Sequence, residues 1–229
     1  MNTMKVIDLT HGINSEMMTY PGDPPVILEE ALTHEADYCH VDRLICSSHT
    51  GTHIDAPYHF LEDGKRITDY PASKFVGEGV VCDLHAKKAG EAITAKDLSE
   101  TLSGSHSGSI SGAQPGDYLL LQTGWDQYWG KDEYLDHPYI SREAAQLIVD
   151  SGISIVAVDF LNVDPTLYDQ WEAHPLLLSN DVLIVENIAN SLALSPGRRY
   201  CFSFAPMKLQ DSDGAPIRAL AWESNDGIT

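Results

Sequence analysis

SREAAQLIVDSGISIVAVDF, residues 141–160, carries the fold reading. Ser141 is placed to cap a helix, Glu143 suits its positive first turn, and Gly152 is a stop signal. The helix expected over 141–152 runs straight into ISIVAVDF (153–160), a short apolar run of the length and composition of a buried strand. A helix that delivers the chain into a buried strand is a unit of α/β architecture.

Outward from this unit the chain alternates apolar runs with turn signals. KVIDL (5–9), VDRLICSS (41–48), GVVCDL (79–84), DYLLLQT (117–123), DVLIVENI (181–188), YCFSFA (200–205) and IRALAWE (217–223) read as strands. TAKDLSETL (94–102) reads as a second helix, with Thr94 and Asp97 spaced as a capping box. YPGDPP (20–25) is a turn, and the Ser/Gly-rich SGSHSGSISGAQPG (103–116) is a surface loop with His106 in solvent. No repeat or compositional break divides the chain, so residues 1–229 are expected to form one mixed α/β domain.

Charge narrows the partners. Lys and Arg total 14 against 34 Asp and Glu, a formal net charge of −20. Such a surface repels phosphate backbones and anionic membranes, which disfavours nucleic-acid binding and polybasic membrane anchoring. Cys39, Cys46, Cys82 and Cys201 form no CxxC pair and are expected to be buried thiols. MNTMKVIDLT has no apolar signal region, and no apolar run is long enough to span a bilayer, so the cytoplasm is the expected compartment.

The chemistry concentrates in SSHTGTHIDAPYHFL (47–61), where His49, His53, Asp55 and His59 fall within eleven residues. A helix would pair His49 with His53, but Thr50, Gly51, Thr52 and Ile54 are poor helix formers and Pro57 would break the turn. An extended chain aims the odd positions 49 to 59 at one side, with Gly51 leaving room between imidazoles and Pro57 ending the strand. Two imidazoles and a carboxylate suit zinc, manganese or iron(II), and a divalent ion at such a site lowers the pKa of water from 15.7 to about 7. His59, not required as a ligand, has an ordinary pKa near 6.5 and can move protons. The competing readings are structural histidines in a polar loop, a structural metal site, or a metal-dependent small-molecule binding protein without turnover. A closed structural zinc site would want four protein ligands, often cysteines, and none of the cysteines lies in the motif.

HTGTHIDAPYHF (49–60) resembles the H-x-G-T-H-x-D-x-P-x-H pattern of the metal-dependent cyclase family, which includes bacterial kynurenine formamidases and isatin hydrolases. YPGDPP, LLLQTGWDQYWGKDEY (119–134), VAVDFLNVDP (156–165) and EAHPLLLSNDVLIVENIANSLAL (172–194) resemble further segments of that family. The resemblance implies a mixed α/β domain of the swivelling β/β/α type, assembled as a homodimer or homotetramer. It implies that His49, His53 and Asp55 hold one divalent ion, zinc or manganese. In two-ion members Asp55 would bridge to a second ion held by His174 and Glu186, and His59 would be the catalytic histidine. Glu186 also ends the apolar strand DVLIVE, where an unpaired carboxylate would be costly. The implied activity is hydrolysis of an aryl amide, N-formyl-L-kynurenine to formate and L-kynurenine, with isatin or another cyclic amide or lactone as the alternative. Tyr20, Phe60 and Trp125 are candidates to pack a substrate ring. Asp159, Phe160, Leu161 and Asn162 stand where many members carry serine or threonine after the aspartate, a departure that bears on the substrate.

Overall fold

The computed structural model describes residues 5–100, 112–168 and 170–224. Its strands are β1 (Val6–Asp8), β2 (Ile27–Leu32), β3 (Val41–Ile45), β4 (His53–Asp55), β5 (Val76–Asp83), β6 (Ala92–Ile93), β7 (Tyr118–Gln122), β8 (Tyr139–Ile140), β9 (Ile155–Val158), β10 (Leu183–Glu186), β11 (Arg199–Ser203), β12 (Gly214–Pro216) and β13 (Leu220–Glu223). Among the described residues four helices join them: α1 (His34–Asp37), α2 (Ala95–Glu100), α3 (Arg142–Asp150) and α4 (Ala173–Ser179).

A mixed sheet in the order β1-β13-β11-β5-β7-β9-β10-β4-β12 organises the molecule. β5, β7, β9 and β10 pair in parallel, and antiparallel strands extend the sheet at both ends. The parallel strands are apolar over their central residues, where both faces are covered. Leu119, Leu121, Val156, Val158 and Ile184 face one way and pack with Leu98, Ala144, Ile148 and Leu177 from the helices. Leu120, Ile155, Ala157, Leu183 and Val185 face the other way and meet Ile54, Phe202 and Ala221 from the outer strands of the same sheet. The sheet therefore curls over one core and carries helices on the other.

The unit read from 141–160 is present. Ser141 Oγ accepts from Ala144 N at 3.2 Å, and Gly152 takes a left-handed φ of 71° after the helix. Asp97 and Thr94 exchange the two capping-box hydrogen bonds. Of the loop read over 103–116, residues 103–111, with His106, lie outside the described residues.

Two expectations need correction. The segment read as a strand over 41–48 is strand only over β3, and it leaves the main sheet to pair with β2 in an exposed two-stranded ribbon. The cysteines are not uniformly buried: Cys82 is buried in β5, Cys46 and Cys201 are half-buried and Cys39 is exposed. Cys46 follows the exposed ribbon, and Cys201 alternates with buried neighbours in β11, so its side chain faces away from the core.

Gly64 fixes the turn that carries His59. A β-carbon there would sit 2.5 Å from the Pro57 carbonyl carbon and 2.6 Å from Tyr58 N, both backbone atoms that cannot swing aside. Gly64→Ala is expected to lower stability by about 1–3 kcal/mol, read as a fall in the urea midpoint.

Candidate metal centre and cavity

β4 lies between β10 and β12, and its register builds the centre. Glu186 of β10 stands opposite His53, and Asp55 follows two residues on, so all three side chains share one face of the sheet. His53 Nε2 lies 3.3 Å from Asp55 Oδ1 and 3.5 Å from Glu186 Oε2. Its other nitrogen, Nδ1, donates to the Gly51 carbonyl at 2.8 Å, which fixes the ring and leaves Nε2 directed at the carboxylates.

His49 does not reach the centre by strand periodicity. The expectation of one extended run from His49 to a stop at Pro57 is overturned at its start, where Gly51 has φ 61° and the strand covers only His53–Asp55; the stop is present, as Pro57 opens the 3-10 turn Pro57–His59. The left-handed turn at Gly51, a conformation that a side chain would strain, folds the chain back. It sets the His49 and His53 rings 5.0 Å apart and edge-on. His49 Nδ1 is then 2.8 Å from Asp55 Oδ1.

His174 arrives on α4. Pro175 sits in the first helical turn, where its missing N–H costs no hydrogen bond. His174 Nε2 lies 3.2 Å from Glu186 Oε1 and 3.6 Å from Asp55 Oδ2. Asp164 holds it from behind: its carboxylate accepts from His174 Nδ1 at 2.8 Å and from the backbone N–H groups of Glu172, Ala173 and His174.

His59 stands at the open side. Its Nδ1 is 3.2 Å from Asp213 Oδ2, the oxygen that also lies 2.9 Å from His49 Nε2, and Ser48 Oγ donates to the other oxygen of Asp213 at 2.8 Å. Asp213 was not visible as a site residue. It precedes Gly214 in what reads as an ordinary turn, 164 residues from His49. Asp164 carried only a weak signal, as one acid in an aspartate-rich loop.

The donor set fits a divalent cation. Ligand atoms of His49, His53 and Asp55 lie within 4.8 Å of one another, as do those of Asp55, His59 and His174. Asp55 is fully buried, and its Oδ2 has no hydrogen-bond partner. A dry carboxylate oxygen facing imidazoles calls for positive charge. Burial disfavours charge on His49 and His53. Asp55, with Asp213 at His49 and Glu186 at His53, outweighs it and raises them to about 9 and about 10. His174 is likewise pushed well up, against its own burial, by Asp164, Asp55 and Glu186. Protons thus supply on these rings the positive charge that an ion would bring.

A cavity of about 220 Å³ opens over His49, His53, His59, His174 and Glu186. Tyr20 and Phe60 line it, and Phe60 stacks on His174 at 4.6 Å. Trp125 does not. It opens the 3-10 turn Trp125–Tyr128 and packs into the helix-side core, 4.8 Å from Tyr128. Trp129, just beyond that turn, lines the cavity instead, stacked on His11 at 4.0 Å, and Trp171 forms a further wall. The spacing W-x-x-Y-W alone does not say which tryptophan turns inward. Asn187, at φ 58°, also lines the cavity and donates to the Gly51 carbonyl at 3.0 Å.

The family model described as Cyclase matches residues 7–165, more than half of the chain. A kynurenine formamidase from Bacillus anthracis is 32% identical over 96% of this chain and 98% of its own length. The chain belongs to the cyclase family and is a hydrolase. Among solved structures, a predicted metal-dependent hydrolase from Bacillus stearothermophilus superposes with a TM-score of 0.77 at 28% identity, covering 97% of this chain and all of that one. Isatin hydrolase A from Labrenzia aggregata shares the fold with a TM-score of 0.84 at 23% identity, covering 97% of this chain and 94% of that one. The cyclase fold reading is thereby met, as a mixed α/β sheet with helices on one face.

The raised imidazoles have a consequence for the metal-free protein. Folding raises their pKa above about 6.5, so their stabilising contribution is complete below that pH and is lost as pH rises through 9 to 10. Urea midpoints of chelator-treated protein should fall between pH 7 and 10.5, and saturating zinc or manganese should remove most of that fall. A midpoint that metal does not raise at any pH would speak against a metal centre here.

Proposed function

We propose that the protein is a divalent-metal-dependent amide hydrolase that converts an N-formylated arylamine, N-formyl-L-kynurenine in the first instance, to formate and the free amine. The observation that carries this reading is the convergence of three imidazoles and two buried carboxylates beneath an aromatic cavity, with His59 left at the open side. The full-length similarity to a kynurenine formamidase supports the choice of substrate.

His49, His53, Asp55, His174 and Glu186 would hold zinc or manganese. The two oxygens of Asp55 face different imidazoles, Oδ1 toward His49 and His53 and Oδ2 toward His174, which suits a carboxylate shared between two ions. A bound ion would polarise the formyl carbonyl and acidify the attacking water. The chain supplies the rest. Tyr20, Phe60 and Trp171 hold the aryl ring and exclude water. Asp213 orients His59 through Nδ1, which leaves Nε2 to take a proton from the attacking water and pass it to the leaving aniline nitrogen. Water adds at the formyl carbon, the C–N bond breaks, and formate and the arylamine leave.

Formate release from N-formyl-L-kynurenine by zinc- or manganese-loaded protein, abolished by a chelator, is the expected result. His59→Ala should lower kcat by about 10²–10⁴ while metal content stays unchanged. No release with metal content confirmed would move the assignment to cyclic amides such as isatin, and tight binding with no product from either substrate would mean a binding protein.

We further infer a homodimer or homotetramer in a reducing cytoplasm. The β2–β3 ribbon exposes Ile27, Leu28, Leu32, Val41, Leu44 and Ile45 by 37–49%, and a lone two-stranded ribbon is marginal in water. Light scattering should give a multiple of 25.2 kDa, and a monomer alone would overturn this inference.

A further inference from the structure

The cavity has an electrical polarity that the proposed chemistry does not use. Among the described residues that line it there is no Lys or Arg, and Asp23 is its one carboxylate outside the cluster around Asp55. Asp23 closes a tight turn in which its N–H donates to the Tyr20 carbonyl at 3.0 Å, with Gly22 at φ 100°. Pro24 and Pro25 follow and stiffen the segment. The carboxylate is half-buried, and none of the hydrogen bonds or ion pairs among the described side chains engages it. Nearby stand the Tyr20 and Trp171 rings, 6.2 Å apart, whose faces attract cations. The net charge of −20 biases the approach the same way.

We propose that Asp23 is a specificity-determining residue that receives a primary ammonium group on the substrate, at the end remote from the scissile aryl amide. This rests on the aryl-amide reading above. A carboxylate on the same substrate would point out of the cavity into solvent, since no Lys or Arg among the described lining residues meets it at the Asp23 end. The enzyme would then select aryl formamides bearing an aminoalkyl arm and discriminate against those bearing only an acid.

Four substrates test this with metal-loaded protein: N-formyl-L-kynurenine, its decarboxylated amine, its deaminated acid, and formanilide, which has neither charge. The amine should keep the kcat/KM of the parent within a few-fold, and the acid should lose at least about tenfold. In Asp23→Asn the preference for the amine over formanilide should fall about tenfold, mainly through KM, and Asp23→Glu should recover part of it. An acid turned over as well as the amine, or a preference unmoved in Asp23→Asn, would overturn the proposal. Calorimetric binding of the deformylated amine to wild type and to Asp23→Asn gives a readout independent of turnover. If every formamide is inert yet the amine binds about tenfold more weakly to the variant, the aryl-amide reading fails and the ammonium site stands. Equal binding to both proteins removes the site whatever the turnover shows.

Discussion

Burying two carboxylates side by side is the constraint on which the structure depends. Asp55 and Glu186 sit on adjacent strands, fully or nearly buried, and both lie against His53 and His174. In a dry interior such a pair is tolerated only with close positive charge. The fold answers with histidines from three places: the segment before β4, β4 itself, and α4. Each ring is turned by a partner on its far side, the Gly51 carbonyl for His53, Asp164 for His174 and Asp213 for His49. Those partners make the centre a fixed set of donors rather than a loose cluster of polar groups.

The same arrangement explains the position of the aromatic cavity. The apolar core on the helix side of the sheet continues outward into Phe60, Tyr20 and Trp129, so the charged floor is roofed by rings. A planar substrate can then meet the polar groups without carrying bulk water to them.

What was legible in the sequence follows physical range. Capping residues, buried apolar runs and the short His/Asp motif act over a few residues, and their reading gave the α3–β9 unit, the parallel strands and the composition of the motif. The path of the motif was not legible, because one left-handed glycine replaces strand periodicity with a turn. Trp125 and Trp129 differ only in which side of a 3-10 turn they fall. Asp213 has no local signature, since its meaning comes from a pairing that the sheet makes at long range. The β2–β3 ribbon has the composition of a core strand but no sheet of its own to join, so burial could not be read from apolarity alone.

That long-range pairing has a consequence for how the protein matures. β4 acquires its neighbours late, β10 first and β12 only near the end of the chain, and His49 waits 164 residues for Asp213. Contacts of such separation form slowly because most of the chain must first be ordered. During synthesis His49 and His59 leave the ribosome long before Asp213, the residue that aims them. An ion at the proposed centre would therefore find its full set of donors only after β10 and the residues around β12 had joined β4.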